Sequence, residues 1–78
     1  MRDKNRIDKY CDRIAKMWKK VPDWRFGQLI SNVLGEYVSR TGKDIFFPED
    51  EELVSAMEEI LADIGSPYFS KEEMNESN

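Results

Sequence analysis

The chain has 78 residues, 40% of them apolar, with 12 Lys/Arg against 16 Asp/Glu, one cysteine and no histidine. That length allows one domain with a small core and a stability of a few kcal/mol, on the order expected for scaffolds of this size. The missing histidine excludes Ser–His and Cys–His catalysis and the usual His-containing zinc sites. The lone Cys11 excludes an intramolecular disulfide.

The first residues, MRDKNRID, hold no apolar run. No secretory leader is therefore expected; no stretch approaches the roughly 20 apolar residues of a membrane span, and the expected setting is cytoplasmic. From there Ile7, Tyr10, Cys11, Ile14, Met17, Trp18 and Val21 recur at steps of one and three. This is the stripe of an amphipathic helix, predicted over 4–20, with Cys11 as a small buried hydrophobe. Pro22 ends it, because the residue before a proline is driven out of the helical region.

Asp23 is the expected N-cap of a second helix over 24–40. Its stripe is Phe26, Leu29, Ile30, Val33, Leu34, Tyr37 and Val38, stopped at Thr41-Gly42, where glycine suits a left-handed cap. The short joint between helices 1 and 2 predicts that they pack as neighbours, with Trp24 closing the corner near Trp18.

Residues 44–47, DIFF, read as a short extended segment laid across the helices as a plug, with pairing to the later PYF as an alternative. Pro48 and the acids Glu49, Asp50, Glu51 and Glu52 suit the first turn of a third helix over 48–64, where the helix dipole favours negative charge. Leu53, Met57, Ile60, Leu61 and Ile64 form its apolar face, and Gly65 and Pro67 end it. Ser70 and Glu73 have capping-box spacing, but residues 68–78 are expected to be a flexible C-terminal tail. The predicted fold is all-α: a compact three-helix domain over 1–67 with a short extended DIFF segment before helix 3.

Charge is segregated. Residues 1–40 carry a net +5 and residues 41–78 a net −9. Arg2, Arg6, Lys9, Arg13, Lys16 and Lys20 step by four and three and share one face of helix 1, while the acids of helix 3 lie away from its apolar face. Three readings compete. The faces attract one another within the chain; or Arg6, Lys9, Arg13, Lys16 and Lys20 meet nucleic acid or an acidic partner; or the chain self-associates head to tail, basic stripe to acidic face. The net negative charge weighs against general nucleic-acid binding. The basic stripe has no interleaved aromatics for stacking on single strands. As a would-be reading helix of a helix-turn-helix, helix 2 holds only Arg25 and Arg40 as cations.

Two further rows lie on helix 2. Gly27, Ser31 and Gly35 recur every fourth residue and would let helix 1 or helix 3, or a partner, approach closely. Glycine in a helix interior costs roughly 1 kcal/mol against alanine, so two of them call for such a compensation. Arg25, Gln28 and Asn32 form a polar row beside the helix start and are the candidate partner-binding residues, with Glu36 continuing it.

Arg6-Ile7, Trp18, the PD-x-R-x-GQLI-x-N segment over 22–32 and the D-x-FF-x-ED-x-EL segment over 44–53 together resemble a group of small bacterial and phage proteins. The resemblance spans about residues 6–60. The group has Leu where this chain has Trp24 and Phe26, and a different connector before D-x-FF. It carries no established activity, so the resemblance implies a bacterial or phage cytoplasm and no mechanism.

No phosphate loop, CxxC pair or nucleophile elbow is present. The EDEE run lacks the alternating ligands and central glycine of a calcium loop. No metal and no cofactor is expected, and the chain is not expected to be an enzyme. The leading expectation is a small non-enzymatic interaction module, an adaptor or regulator with an unidentified protein partner, and a homodimer is also allowed. The alternatives are a nucleic-acid-binding regulator using the helix 1 stripe, or an acidic inhibitor of a host nucleic-acid-binding protein acting through helix 3.

Overall fold

The computed structural model describes residues 2–70. Three helices follow in chain order: α1 (Arg6–Lys20), α2 (Phe26–Thr41) and α3 (Asp50–Ile64), with a 3-10 turn at Ser66–Tyr68. No strand occurs among the described residues, so DIFF and PYF do not pair. This is the compact three-helix domain that the apolar periodicity predicts.

The helix starts differ from expectation in an instructive way. The chain turns sharply at Pro22-Asp23, where the Trp24 N–H donates to the Val21 carbonyl at 3.0 Å. Proline is well suited to the second position of such a turn. Asp23 is thereby taken up in the corner, and α2 begins later, with Arg25 as its N-cap. The Gln28 side chain reaches back to accept the Arg25 backbone N–H at 2.7 Å, half of a capping box. At the other end Gly42 adopts the left-handed conformation (φ 69°) and donates to the Val38 carbonyl, as its position predicts. Helix α3 starts at Asp50 rather than at Pro48, capped by Glu49 in an extended conformation.

The core consists of Met17 and Val21 from α1 and its end, Leu29, Val33 and Tyr37 from α2, and Val54, Met57, Ile60 and Leu61 from α3. Helix α3 is the element against which both others pack. Helices α1 and α2 were expected to be close neighbours, yet their backbones approach closely at few points. Large side chains fill their corner: the Trp18 and Phe26 rings lie 5.3 Å apart, and Trp18 Nε1 donates to the Trp24 carbonyl at 2.8 Å. Trp24 turns its own ring toward Tyr68, 5.6 Å away.

The apolar stripes are wider than the faces α3 covers. On α1 the line Tyr10, Ile14, Met17 and Val21 packs inward. Ile7 remains 50% exposed and Trp18 37%, and Cys11, expected to be buried, is exposed. On α2 Phe26 and Val38 are likewise exposed.

The DIFF segment is not a plug. Asp44 Oδ1 accepts the Phe46 N–H at 3.0 Å and the Asp44 carbonyl accepts the Phe47 N–H at 3.4 Å, a turn made by aspartate's short side chain. The turn lifts Phe46 and Phe47 out of the fold, where they are 82% and 76% exposed and pack edge to face on each other.

The first residues of the expected tail are part of the domain. Phe69 packs on the core, and the Ser70 N–H donates to the Lys20 carbonyl at 2.9 Å. The rest of that tail, 71–78, and the Ser70–Glu73 capping box with it, lie outside the described residues.

Candidate functional site

The polar row of α2 borders an open groove of about 500 Å³. Gln28, Asn32 and Glu36, each one turn from the next, form one wall. Ile64 from the end of α3 and Tyr68 from the 3-10 turn contribute the apolar part of the lining, together with Trp24 from the corner before α2. The turn after Gly65 is what brings Tyr68 there: its N–H donates to the Gly65 carbonyl at 2.8 Å. Gly65 itself is buried, and a Cβ at this position would lie 2.7 Å from a Leu61 methyl and 3.1 Å from the Phe69 ring. That Cβ would also lie 2.8 Å from the Leu61 carbonyl oxygen, so the backbone leading into the 3-10 turn would have to shift.

Two of the three candidate partner-binding residues, Gln28 and Asn32, thus share the groove. Arg25 does not line it, and neither Asp44, Glu49 nor Asp50 forms an ion pair with it. The Gln28 carbonyl oxygen is used in capping, which leaves its amide N–H groups as donors. Asn32 is exposed and offers both a donor and an acceptor. Glu36 accepts from Arg40 at 2.8 Å, and Arg40 also binds Asp63 at 2.9 Å. This ties α2 to α3 at one end of the groove. The apolar wall was not legible in advance, because Ile64 and Tyr68 are far from Trp24 in sequence.

The basic stripe of α1 has a different setting. Arg2 pairs with Glu49 at 2.7 Å, Arg6 with Asp50 at 2.8 Å and Lys9 with Glu51 at 3.9 Å. Arg13 is the hub. Its fork holds both oxygens of Glu58, at 2.6 and 3.0 Å, and both of Glu51, and it donates to Ser55 Oγ at 3.2 Å. Such two-pronged pairing fits guanidinium to carboxylate geometrically. The hydrogen bond from Ser55, with that from Arg13, holds the Glu51 carboxyl below its ordinary range, and Arg13 does the same to Glu58. Arg2 lowers Glu49. Burial, with the hydrogen bond to Glu51, raises the Tyr10 hydroxyl. Of the five cations singled out, Arg6, Lys9 and Arg13 are therefore engaged with α3. Lys20 lies over the Phe69 ring, 5.8 Å from its centre. Lys16 makes no ion pair among the described residues.

The small-residue row is open. Among the described residues, nothing beyond the helix's own adjacent backbone comes within 4 Å of where a Cβ would stand at Gly27 or Gly35, so neither α1 nor α3 uses that row for close approach.

Among the described residues no three His, Cys, Asp or Glu side chains converge as a metal cage would require. No helix there is long and apolar enough to cross a membrane. No family model matches the chain, and neither does any curated protein or solved structure. The geometry defines a small three-helix domain with a mixed polar and aromatic groove.

Proposed function

We propose that the chain is a non-enzymatic interaction module that holds an extended segment of a partner protein in the groove between α2 and the 3-10 turn. The observation that carries this reading is a mixed lining: the amides of Gln28 and Asn32 share one groove with Trp24, Ile64 and Tyr68. Side-chain amides pair with the N–H and C=O groups of an extended backbone, and an aromatic wall receives alternate side chains. A bacterial or phage cytoplasm, implied by the PD-x-R-x-GQLI-x-N resemblance, belongs to the same proposal. The engagement of Arg6, Lys9 and Arg13 by α3 weighs against the nucleic-acid alternative, and the engagement of Glu51 and Glu58 against the acidic inhibitor.

The test begins by selecting binders from a displayed random-peptide library. The best peptide is then titrated against the wild type, Asn32→Arg and Arg25→Ala by tryptophan fluorescence. Asn32 is exposed, so the arginine variant keeps its fold while obstructing the groove. Binding lost in Asn32→Arg and kept in Arg25→Ala supports the groove. Undiminished binding in Asn32→Arg assigns the interaction elsewhere.

A further inference from the structure

The side of α1 left open beside its contact with α3 combines three features. First, it is apolar and open: Ile7 is half exposed, and Cys11, Ala15 and Trp18 follow it at helical spacing, all exposed. Second, it is contoured. A depression of about 320 Å³ lies among Ala15, Trp18, Lys19 and Pro22, and at the other end Ile7 and Cys11 border a groove of about 220 Å³ that is closed on its far side by Asp50 and Val54 of α3. Third, a charged strip runs along the flank of this apolar strip, with acids in the first half, Asp8 and Asp12, and bases in the second, Lys16 and Lys19. None of these four makes an ion pair among the described residues, although six other bases of the chain do.

We propose that this outer face of α1 seats a second copy of the chain, the two α1 helices lying antiparallel. The order of the charges selects the occupant. In an antiparallel helix pair related by a two-fold axis, each flank meets the same flank of its mate with the direction reversed. An axis near the middle of α1 then sets Asp8 opposite Lys19 of the second copy, with Asp12 and Lys16 flanking that pair. A partner of single charge sign would satisfy one half of the strip and oppose the other. The helix dipole accounts for an acid near the start of α1 and bases near its end. It does not account for the exposed apolar strip beside them, which is the kind of surface that marks an association site.

The experiment is molar mass by light scattering over a range of concentrations, on the full chain. Wild type is compared with Asp8→Lys/Asp12→Lys, with Lys16→Glu/Lys19→Glu and with an equimolar mixture of the two variants. Circular dichroism checks that each is folded, which the absence of intramolecular pairs at these positions favours. The wild type is expected to move toward twice the monomer mass as concentration rises. Each variant alone should dimerise at least about tenfold more weakly, because like charges are brought face to face. The mixture should regain the doubled mass. A wild type that stays monomeric throughout overturns the proposal. So does a dimer indifferent to both variants, and so does one that both variants abolish but their mixture does not restore.

Discussion

The two faces of α1 carry similar residue types and meet different surroundings. Toward α3, Arg6, Lys9 and Arg13 each find a carboxylate, and Tyr10, Ile14 and Met17 pack on or within the core. On the outer side Asp8, Asp12, Lys16 and Lys19 find none among the described residues, and Ile7, Cys11 and Trp18 remain at the surface. A lysine or an isoleucine is thus structural on one side and available on the other. What separates them is α3, which packs against one side of α1 only.

Truncating one apolar residue on each face of α1 separates the two faces most strongly. Met17 is 3% exposed, and Met17→Ala should cost about 2–5 kcal/mol by leaving a cavity. Ile7→Ala should cost under about 1 kcal/mol, because half of the side chain is already in water. Urea denaturation of both variants measures this, and equal losses would mean that α1 is packed on both sides.

Glycine sharpens the same contrast between covered and open surface. Gly65→Ala should destabilise by roughly 1–3 kcal/mol, since its methyl meets Leu61 and Phe69. Gly35→Ala should stabilise by roughly 0.5–1 kcal/mol, since nothing stands near it and alanine is the better helix former. A destabilising Gly35→Ala would show that a second surface lies against that row in solution.

The smallest effect concerns the paired face and pH. Glu49, Glu51 and Glu58 have lowered carboxyl pKa values in the folded chain. Their contribution to stability is complete above the ordinary glutamate range and is lost as pH falls through the lowered values. The melting temperature should therefore hold from neutral pH to about pH 5 and fall below it. Arg13→Gln should lower the melting temperature at pH 7 and flatten the acid limb, because Glu51 and Glu58 lose the same partner. An unchanged acid limb would mean that these pairs do not form in solution.

The helices were legible in the sequence because apolar steps of three and four, Pro22, Gly42 and Gly65 all reflect local geometry. The corner was less so: Asp23 and Arg25 both stand near the start of α2, and only the turn closed by Val21 and Trp24 decides which residue caps the helix. The depth of burial was legible only in part. A stripe that includes Ile7, Cys11 and Trp18 looks continuous along the chain, but one neighbouring helix covers only part of its width. DIFF misled for a related reason, since apolar character suggests a buried segment while Asp44 turns the backbone outward. At the groove, Gln28 and Asn32 could be grouped by helical spacing, whereas the apolar part of the lining depends on a fold-back at Gly65 that no spacing records.

The reaction rate of Cys11 with a thiol reagent, followed as a function of protein concentration, reads the covering of the outer side of α1. Cys11 lies on the outer face and is exposed in the single chain. At low concentration it should react as fast as an unprotected thiol, and at high concentration it should slow as a second copy covers α1. A rate that is fast at every concentration would contradict the antiparallel pairing. A rate that is slow at every concentration would contradict the separation of the two faces of α1 itself.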